Sequence, residues 1–379
     1  MASKLDAEVL IVGGGPVGLF MALCLARLGI ACQVLERTTA PTDHSRAIGV
    51  HPPSLERLEL LGLAQAFVRE GVRVARGHLF VGGRVLGTLE FATCAPPYPF
   101  VLTLPQTRTE ALLRARLQAL APGALRCGFE VTGLTQGARG VALRGLERGD
   151  PKTLRAAFVV AADGKRSLVR RLLGVPFRGG PYPDTYLMGD THDTTRLGTD
   201  AALYFTRAGL VESFPLPGGV RRWVVKTPTL LKGASPELLE RLVWERVSER
   251  AEAHTNTMLS AFGVQRFTAA RFVKGRVCLV GDAAHVLSPI GGQGMNLGWL
   301  GAWTLAEALQ EALRGDAAGL ARYDHLHRRA ARLATWRATF NTLMGRATPL
   351  DGLRNALAWT ILHTPLRATF ARVFTMRGL

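Results

Sequence analysis

Six residues near the N-terminus, Gly13-Gly14-Gly15-Pro16-Val17-Gly18, restrict this chain more than any other feature. They follow an apolar run of strand character, residues 8–12, and precede a helical pattern, residues 17–28. Gly29 stands where a helix commonly ends on a left-handed residue. A second strand pattern, residues 30–35, ends on Glu36 and Arg37. Gly13, Gly15 and Gly18 fit the GxGxxG spacing. Glycines there allow a tight turn and a close backbone approach to a pyrophosphate, which the helix N-terminus then attracts. A carboxylate about twenty residues on can accept hydrogen bonds from an adenosine ribose. Strand, glycine loop, helix, strand and terminal acid in that order predict a dinucleotide site made of Gly13, Gly15, Pro16, Val17, Gly18, Glu36 and Arg37.

A second stretch, Arg276 to Gly298, reads RVCLVGDAAHVLSPIGGQGMNLG. Residues 277–280 look like a buried strand, and Asp282 follows at its C-terminal end, where open α/β sheets bind ligands. Pro289 stiffens the loop, Gly291, Gly292 and Gly294 expose backbone, and residues 297–313 form an amphipathic helical pattern. One carboxylate for hydroxyls and one helix start for an anion suit a flavin, whose ribityl chain and reduced ring supply those groups. The same residues also fit an ordinary strand–turn–helix, which stays open from this stretch alone. His285, within it, reads as structural rather than as a base.

Composition narrows the class. Of 379 residues, 47% are hydrophobic and 20% charged, enough for a sizeable core and against disorder. The net charge is +18, and six of the 47 basic residues are Lys. The Arg residues are scattered, which matches a compositional bias better than a nucleic-acid surface. Five cysteines, at 24, 32, 94, 127 and 278, form no CxxC pair and no metal-ligand spacing with His. They point to reduced thiols in a cytoplasmic protein with no metal. Asp6 and Glu8 interrupt the first apolar run, so it reads as a strand and not as a signal peptide.

Between the two glycine stretches the pattern alternates. Arg46 lies in a polar loop, and Ser54 is positioned to cap a short helix. Residues 72–91 are β-like. Thr107 and Glu110 have the form of a capping box, with Gln106 at the strand-to-helix corner before it. Residues 158–162 form an apolar strand ending on Asp163-Gly164, with Ser167 as a cap for the next helix. Residues 177–225 are Pro- and Gly-rich strand patterns, and Ser235-Pro236-Glu237 opens a helix. The expected domains interleave: 1–71, 100–176 and 269–345 form a cofactor domain, 72–99 and 177–268 a β-sheet substrate domain, and 346–379 a helical tail.

Three motifs now coincide: GGGPVG with Glu36, VVAADG at 159–164, and VGDAAHVLSPIGGQGMN at 280–296. Together they resemble the single-component FAD-dependent aromatic hydroxylases, the p-hydroxybenzoate hydroxylase-like monooxygenases, over about residues 7–345. The resemblance implies an α/β fold, with a Rossmann-type FAD domain interleaved with a β-sheet domain that roofs the flavin, plus C-terminal helices. It places Arg46 near the pyrophosphate or the NAD(P)H path, Gln106 by the ribityl chain or ring edge, and Asp163-Gly164 at both FAD and NAD(P)H. It gives Asp282 to the ribityl chain, Pro289 to the reactive face, and the backbone of Gly292, Gln293, Gly294, Met295 and Asn296 to the pyrimidine edge.

The implied activity uses NAD(P)H and O2 to hydroxylate an aromatic, polyketide-like or quinone-like molecule through a flavin C4a-hydroperoxide. Phe214, Pro215 and Trp223 are candidates for the substrate pocket, with plain sheet core as the other reading. No catalytic residue is assigned. Two rival functions fit the same motifs: an FAD-dependent reductase of isoprenoid double bonds, and a non-catalytic flavoprotein that sequesters an aromatic compound. The Arg-rich apolar tail packs on the core or on a second subunit, or touches a membrane from the cytoplasmic side.

Overall fold

Strand Ala7–Val12 and helix Pro16–Arg27 form where the pattern predicts, and Gly29 takes a φ of +74° after the helix. The computed structural model describes residues 5–40, 47–93 and 96–378. Ala7–Val12 is a central strand of a parallel sheet. It pairs with Cys32–Glu36 on one side and Asp150–Ala161 on the other. Leu125–Cys127 extends the sheet beyond Cys32–Glu36, and Val277–Leu279 extends it beyond Asp150–Ala161, both in parallel. The strand residues 9–11 and 159–161 are fully buried, as a parallel sheet covered on both faces requires. Helix Pro16–Arg27 packs on helices Gln106–Leu120 and Gln293–Leu313.

A second sheet of eight strands has the order His285–Val286, Met258–Ala269, Phe177–His192, Val220–Thr227, Gly209–Leu216, Ala201–Thr206, Arg76–Val81, Arg84–Glu90. Its pairs are antiparallel except that of Ala201–Thr206 with Arg76–Val81. Side chains alternate between its two faces. Leu187, Ala202, Tyr204, Val211, Trp223 and Val225 pack beneath helix Pro236–Val247. Tyr186, Met188, Phe205, Leu210 and Val224 face the other way and pack with Ile290 and Ala358. The stretch 276–298 therefore serves both sheets: it enters as Val277–Leu279 in the first and pairs as His285–Val286 in the second.

Two expected caps are absent. Helix Pro52–Leu60 starts before Ser54, which is buried inside it, because Pro52 and Pro53 already supply the helical φ of the first turn. Helix Gln106–Leu120 starts one residue ahead of Thr107, so no capping box forms and Glu110 instead accepts from the Gln106 side-chain Nε2 at 3.0 Å. Ser167 and Ser235 do cap, accepting from the amides of Arg170 and Leu238. The tail folds as Asp351–His363 and Leu366–Phe374 and lies on the chain's own core. Leu362 and Ala371 are buried, and Phe374 stacks on Phe91. Among the described residues, no helix is long and apolar enough to cross a membrane.

Candidate cofactor and substrate site

The glycine loop, the strand end at Asp163 and the 281–298 stretch meet at the C-terminal edge of the parallel sheet. Gly13 adopts φ +106°, and a Cβ there would lie 2.4 Å from the carbonyl oxygen of Ala162. Only glycine admits that contact. A Cβ on Gly15 would meet nothing within 4 Å, so the loop turns one open side outward. Val17 wedges between Gly281 and Gly298, where added Cβ atoms would lie 3.1 and 2.7 Å from its methyls. The Trp299 indole donates to the Pro16 carbonyl at 3.0 Å and stacks on Phe20.

Glu36 reaches back to the loop. Its Oε2 accepts from the Gly14 amide at 2.7 Å, and its Oε1 accepts from the Thr38 amide and hydroxyl at 2.9 Å. The carboxylate is thereby fixed at the loop with lone pairs still free for ribose hydroxyls. Arg37, beside it, is exposed. Arg46 lies outside the described residues.

Asp163 spends Oδ2 on the Val169 amide at 3.2 Å, holding the short helix Leu168–Leu172, and its Oδ1 is buried without a partner. Burial raises its pKa. Gly164 follows with φ +74°. Arg170, at the next turn, donates to the carbonyl of Ala283 at 2.9 Å, joining the second motif to the third.

Asp282 stands at the end of Val277–Leu279 on the one-turn segment Gly281–Ala283. Its side chain is exposed, yet protein surrounds it closely enough for burial to push its pKa up to about 6, opposed by Lys165. An exposed carboxylate closely surrounded by protein lines an internal cleft. Pro289 is exposed as well, whereas Ile290 beside it is buried.

The helix Gln293–Leu313 begins inside the glycine loop, with Gly292 as N-cap at φ +64°. Its first amides therefore face the cleft. A Cβ on Gly294 would meet nothing, Met295 is half-buried, and the Gln293 side-chain oxygen is buried without a partner. The Asn296 side chain is a brace: it accepts from the His51 amide at 2.9 Å and donates to the carbonyls of Gly49 and Gly292 at 2.9 and 2.8 Å. Only its backbone is left for a ligand. His51 completes the brace through Nε2, 3.0 Å from the Gly291 carbonyl, and burial lowers its pKa to about 4, keeping it neutral.

Gln106 sits at this edge too, its Oε1 accepting from the Ala47 amide at 3.3 Å. Four residues on is Glu110, and four further Arg114, whose Nη2 donates to the Gly14 carbonyl at 3.0 Å. The spacing QTRTEALLR already puts these three on one helix face, but without the fold nothing showed that the face meets the glycine loop.

The pocket candidates separate. Phe214 is half-buried and packs toward Leu79, Phe370 and Phe374. Trp223 is fully buried under helix Pro236–Val247, on the opposite face, so it is sheet core and not pocket lining. Alternation is the reason: Trp223 pairs with Ser213, and Phe214 with Arg222. Pro215 shares the Ser213 side and is held by the Thr103 hydroxyl, which donates to its carbonyl at 2.6 Å.

The residues fit FAD. The Gly15 opening, the fixed Glu36, the accessible Asp282 within protein and the helix start at Gln293 line one edge, with donors for phosphate and acceptors for hydroxyls in family order. The family profile described as an FAD binding domain matches residues 6–338. The rifampicin monooxygenase of Streptomyces venezuelae is 37% identical over 318 residues, 81% of this chain and 65% of that protein. The 6-methylpretetramide 4-monooxygenase of Streptomyces rimosus is 34% identical over 93% of this chain and 63% of its own length. The chain thus spans less than two-thirds of these two relatives. The crystal structure of p-nitrophenol 4-monooxygenase from Pseudomonas putida DLL-E4 superposes with a TM-score of 0.88 at 25% identity, covering 98% of this chain and 97% of that one. Motifs, fold and relatives agree: the chain belongs to the FAD-binding-domain family of single-component flavin-dependent aromatic hydroxylases.

Proposed function

We propose that this protein is an NAD(P)H-dependent flavoprotein monooxygenase that hydroxylates an aromatic or polyketide-like small molecule. The observation that carries the reading is Asp282: an accessible carboxylate deep in protein, at a strand end, between the two glycine loops. FAD, when bound, supplies the chemistry, taking up a hydride equivalent from NAD(P)H and passing one oxygen atom of O2 to an electron-rich carbon.

The chain supplies position and field. Gly13, Gly15 and Gly18 approach the pyrophosphate, and Glu36 accepts from the adenosine ribose. Gln106, Asp163 and Gly164 border the ribityl and nicotinamide side, and Asp282 accepts from ribityl hydroxyls. The N-terminal amides of Gln293–Leu313 place partial positive charge at the pyrimidine edge, favouring a reduced, anionic ring. Pro289 borders the reactive face, and the second sheet excludes water above it. The names of the relatives, acting on rifampicin, 6-methylpretetramide and p-nitrophenol, support a ring-bearing substrate.

Purified under native conditions, the protein should be yellow, oxidise NAD(P)H faster with substrate, and give a product heavier by one oxygen atom. Turnover that continues without O2 would point instead to a reductase. The tail leaves Leu350, Leu353, Trp359 and Leu366 exposed, and we assign this apolar face to contact with a second copy of the chain. Monomer by light scattering together with binding to liposomes would assign it to a membrane.

A further inference from the structure

One buried acid is left unexplained by the cofactor site. Glu212 lies in the middle of strand Gly209–Leu216, on the sheet face that turns toward the glycine loop. It pairs laterally with Leu203 and Val224, and Leu210 and Phe214 flank it on its own strand. These neighbours are apolar. Val224 and Leu210 pack in one cluster with Met188, Phe205 and Ile290, and Ile290 adjoins the accessible Pro289. Glu212 is 4% exposed, and among the described residues no donor or cation reaches its carboxyl.

The charged groups on the same face are engaged elsewhere. Arg222 grips Asp190 at 2.6 and 2.7 Å, and Lys226 and Arg346 hold Asp184. Arg354, from the tail, lies over the Phe205 ring and donates to the Arg346 carbonyl. The Tyr186 hydroxyl on this face is fully buried and without a partner. Glu212 is close enough to raise the pKa of that phenol further.

A buried carboxyl with nothing to bind costs stability, and a hydrophobic residue would serve the sheet better. A ligand hydroxyl placed against the carboxyl would complete it. We propose that Glu212 is the proton partner of a substrate hydroxyl: its carboxylate accepts the hydroxyl hydrogen bond and takes the proton as the ring is oxidised. The inference rests on the monooxygenase reading and adds the acid–base residue it lacks. In this step the substrate O–H bond breaks, its electron pair stays on oxygen, and a new O–H bond forms on Glu212. The electron-rich oxygen activates the ring carbons ortho and para to it. The proton leaves to water when product departs. Tyr186 is the second hydroxyl at this face and offers a donor to the same substrate. Burial, which raises the Glu212 pKa to about 8, makes it a strong enough base to share a proton with an acidic phenol.

The test uses FAD-loaded protein and two probes, 4-nitrophenol and its methyl ether 4-nitroanisole, which lacks the O–H. Wild type should bind the phenol at least about tenfold more tightly than the ether, and Glu212→Leu should erase that preference. The pH at which bound 4-nitrophenol turns to its coloured phenolate should move by about one unit or more in Glu212→Gln and return toward wild type in Glu212→Asp. Glu212→Leu and Glu212→Gln should keep full flavin content and unfold at a higher temperature than wild type, because the unpartnered carboxyl is gone. An unchanged phenol-to-ether ratio and an unchanged ionisation midpoint, or a loss of thermal stability in both variants, would overturn the role. Flavin-loaded wild type that binds neither probe would overturn it as well. Protein that takes up no FAD at all would sink the monooxygenase reading instead.

Discussion

Single side chains in this protein divide into those that touch ligand and those that hold the backbone that does. We place Asp282 in the first group. Asp282→Ala should raise the FAD dissociation constant about tenfold or more, checked by flavin fluorescence titration of the apoprotein. Asn296 belongs to the second. Its replacement by Ala strands the His51 amide and two carbonyls, and should cost on the order of 3 kcal/mol, read from chemical denaturation. Glu212 has a signature in stability itself. Its pKa in the fold is raised to about 8 from an ordinary 4.5, so the folded state holds the proton more tightly than the unfolded one. Its contribution is therefore complete below about pH 4.5 and is lost as pH rises toward 8, at up to about 1.4 kcal/mol per pH unit. Wild type should lose stability relative to Glu212→Gln across that window. If the two stability curves run parallel, the carboxyl is not buried unpaired.

At the scale of elements, the two cofactor segments are held together by missing side chains. Gly298 lets helix Gln293–Leu313 close on Val17 of helix Pro16–Arg27. Gly298→Ala puts a methyl 2.7 Å from Val17 and should destabilise by about 1–3 kcal/mol, while adding Val17→Ala should recover part of that loss in a double-mutant cycle. Strand alternation makes a different forecast for Trp223. Trp223→Phe should lower the melting temperature and leave substrate affinity unchanged, because the indole packs under helix Pro236–Val247. The sequence could carry the first of these features and not the second. GxGxxG, Asp163-Gly164 and the 280–296 motif are contiguous strings, and each marks a backbone that must approach a ligand. Which face of strand Val220–Thr227 holds Trp223 depends on register with Gly209–Leu216, a pairing between segments that carry apolar residues on both faces. The expected capping box that does not form has a similar origin: Pro105 lets the helix start one residue early, and the Gln106 side-chain Nε2 then claims Glu110. Arg114 was visible as part of a four-residue spacing, but its partner Gly14 lies a hundred positions away.

For the whole molecule, the interleaving of strands along the chain means that neither sheet is a contiguous piece of sequence. The tail closes the assembly by packing Leu362 and Ala371 against the second sheet's outer strands and Phe374 against Phe91. The stretch 276–298 does something a linker could not. Five residues, 280–284, separate its strand in the first sheet from its strand in the second, which is too short a tether to let either sheet melt while the other stays intact. The two halves should therefore unfold as one cooperative unit, with flavin release, loss of ellipticity and tryptophan exposure sharing a single midpoint. Because the cleft exists only while both sheets are docked, free flavin should raise that midpoint in proportion to the logarithm of its concentration, so that cells short of the cofactor would hold a larger share of this protein in protease-sensitive form.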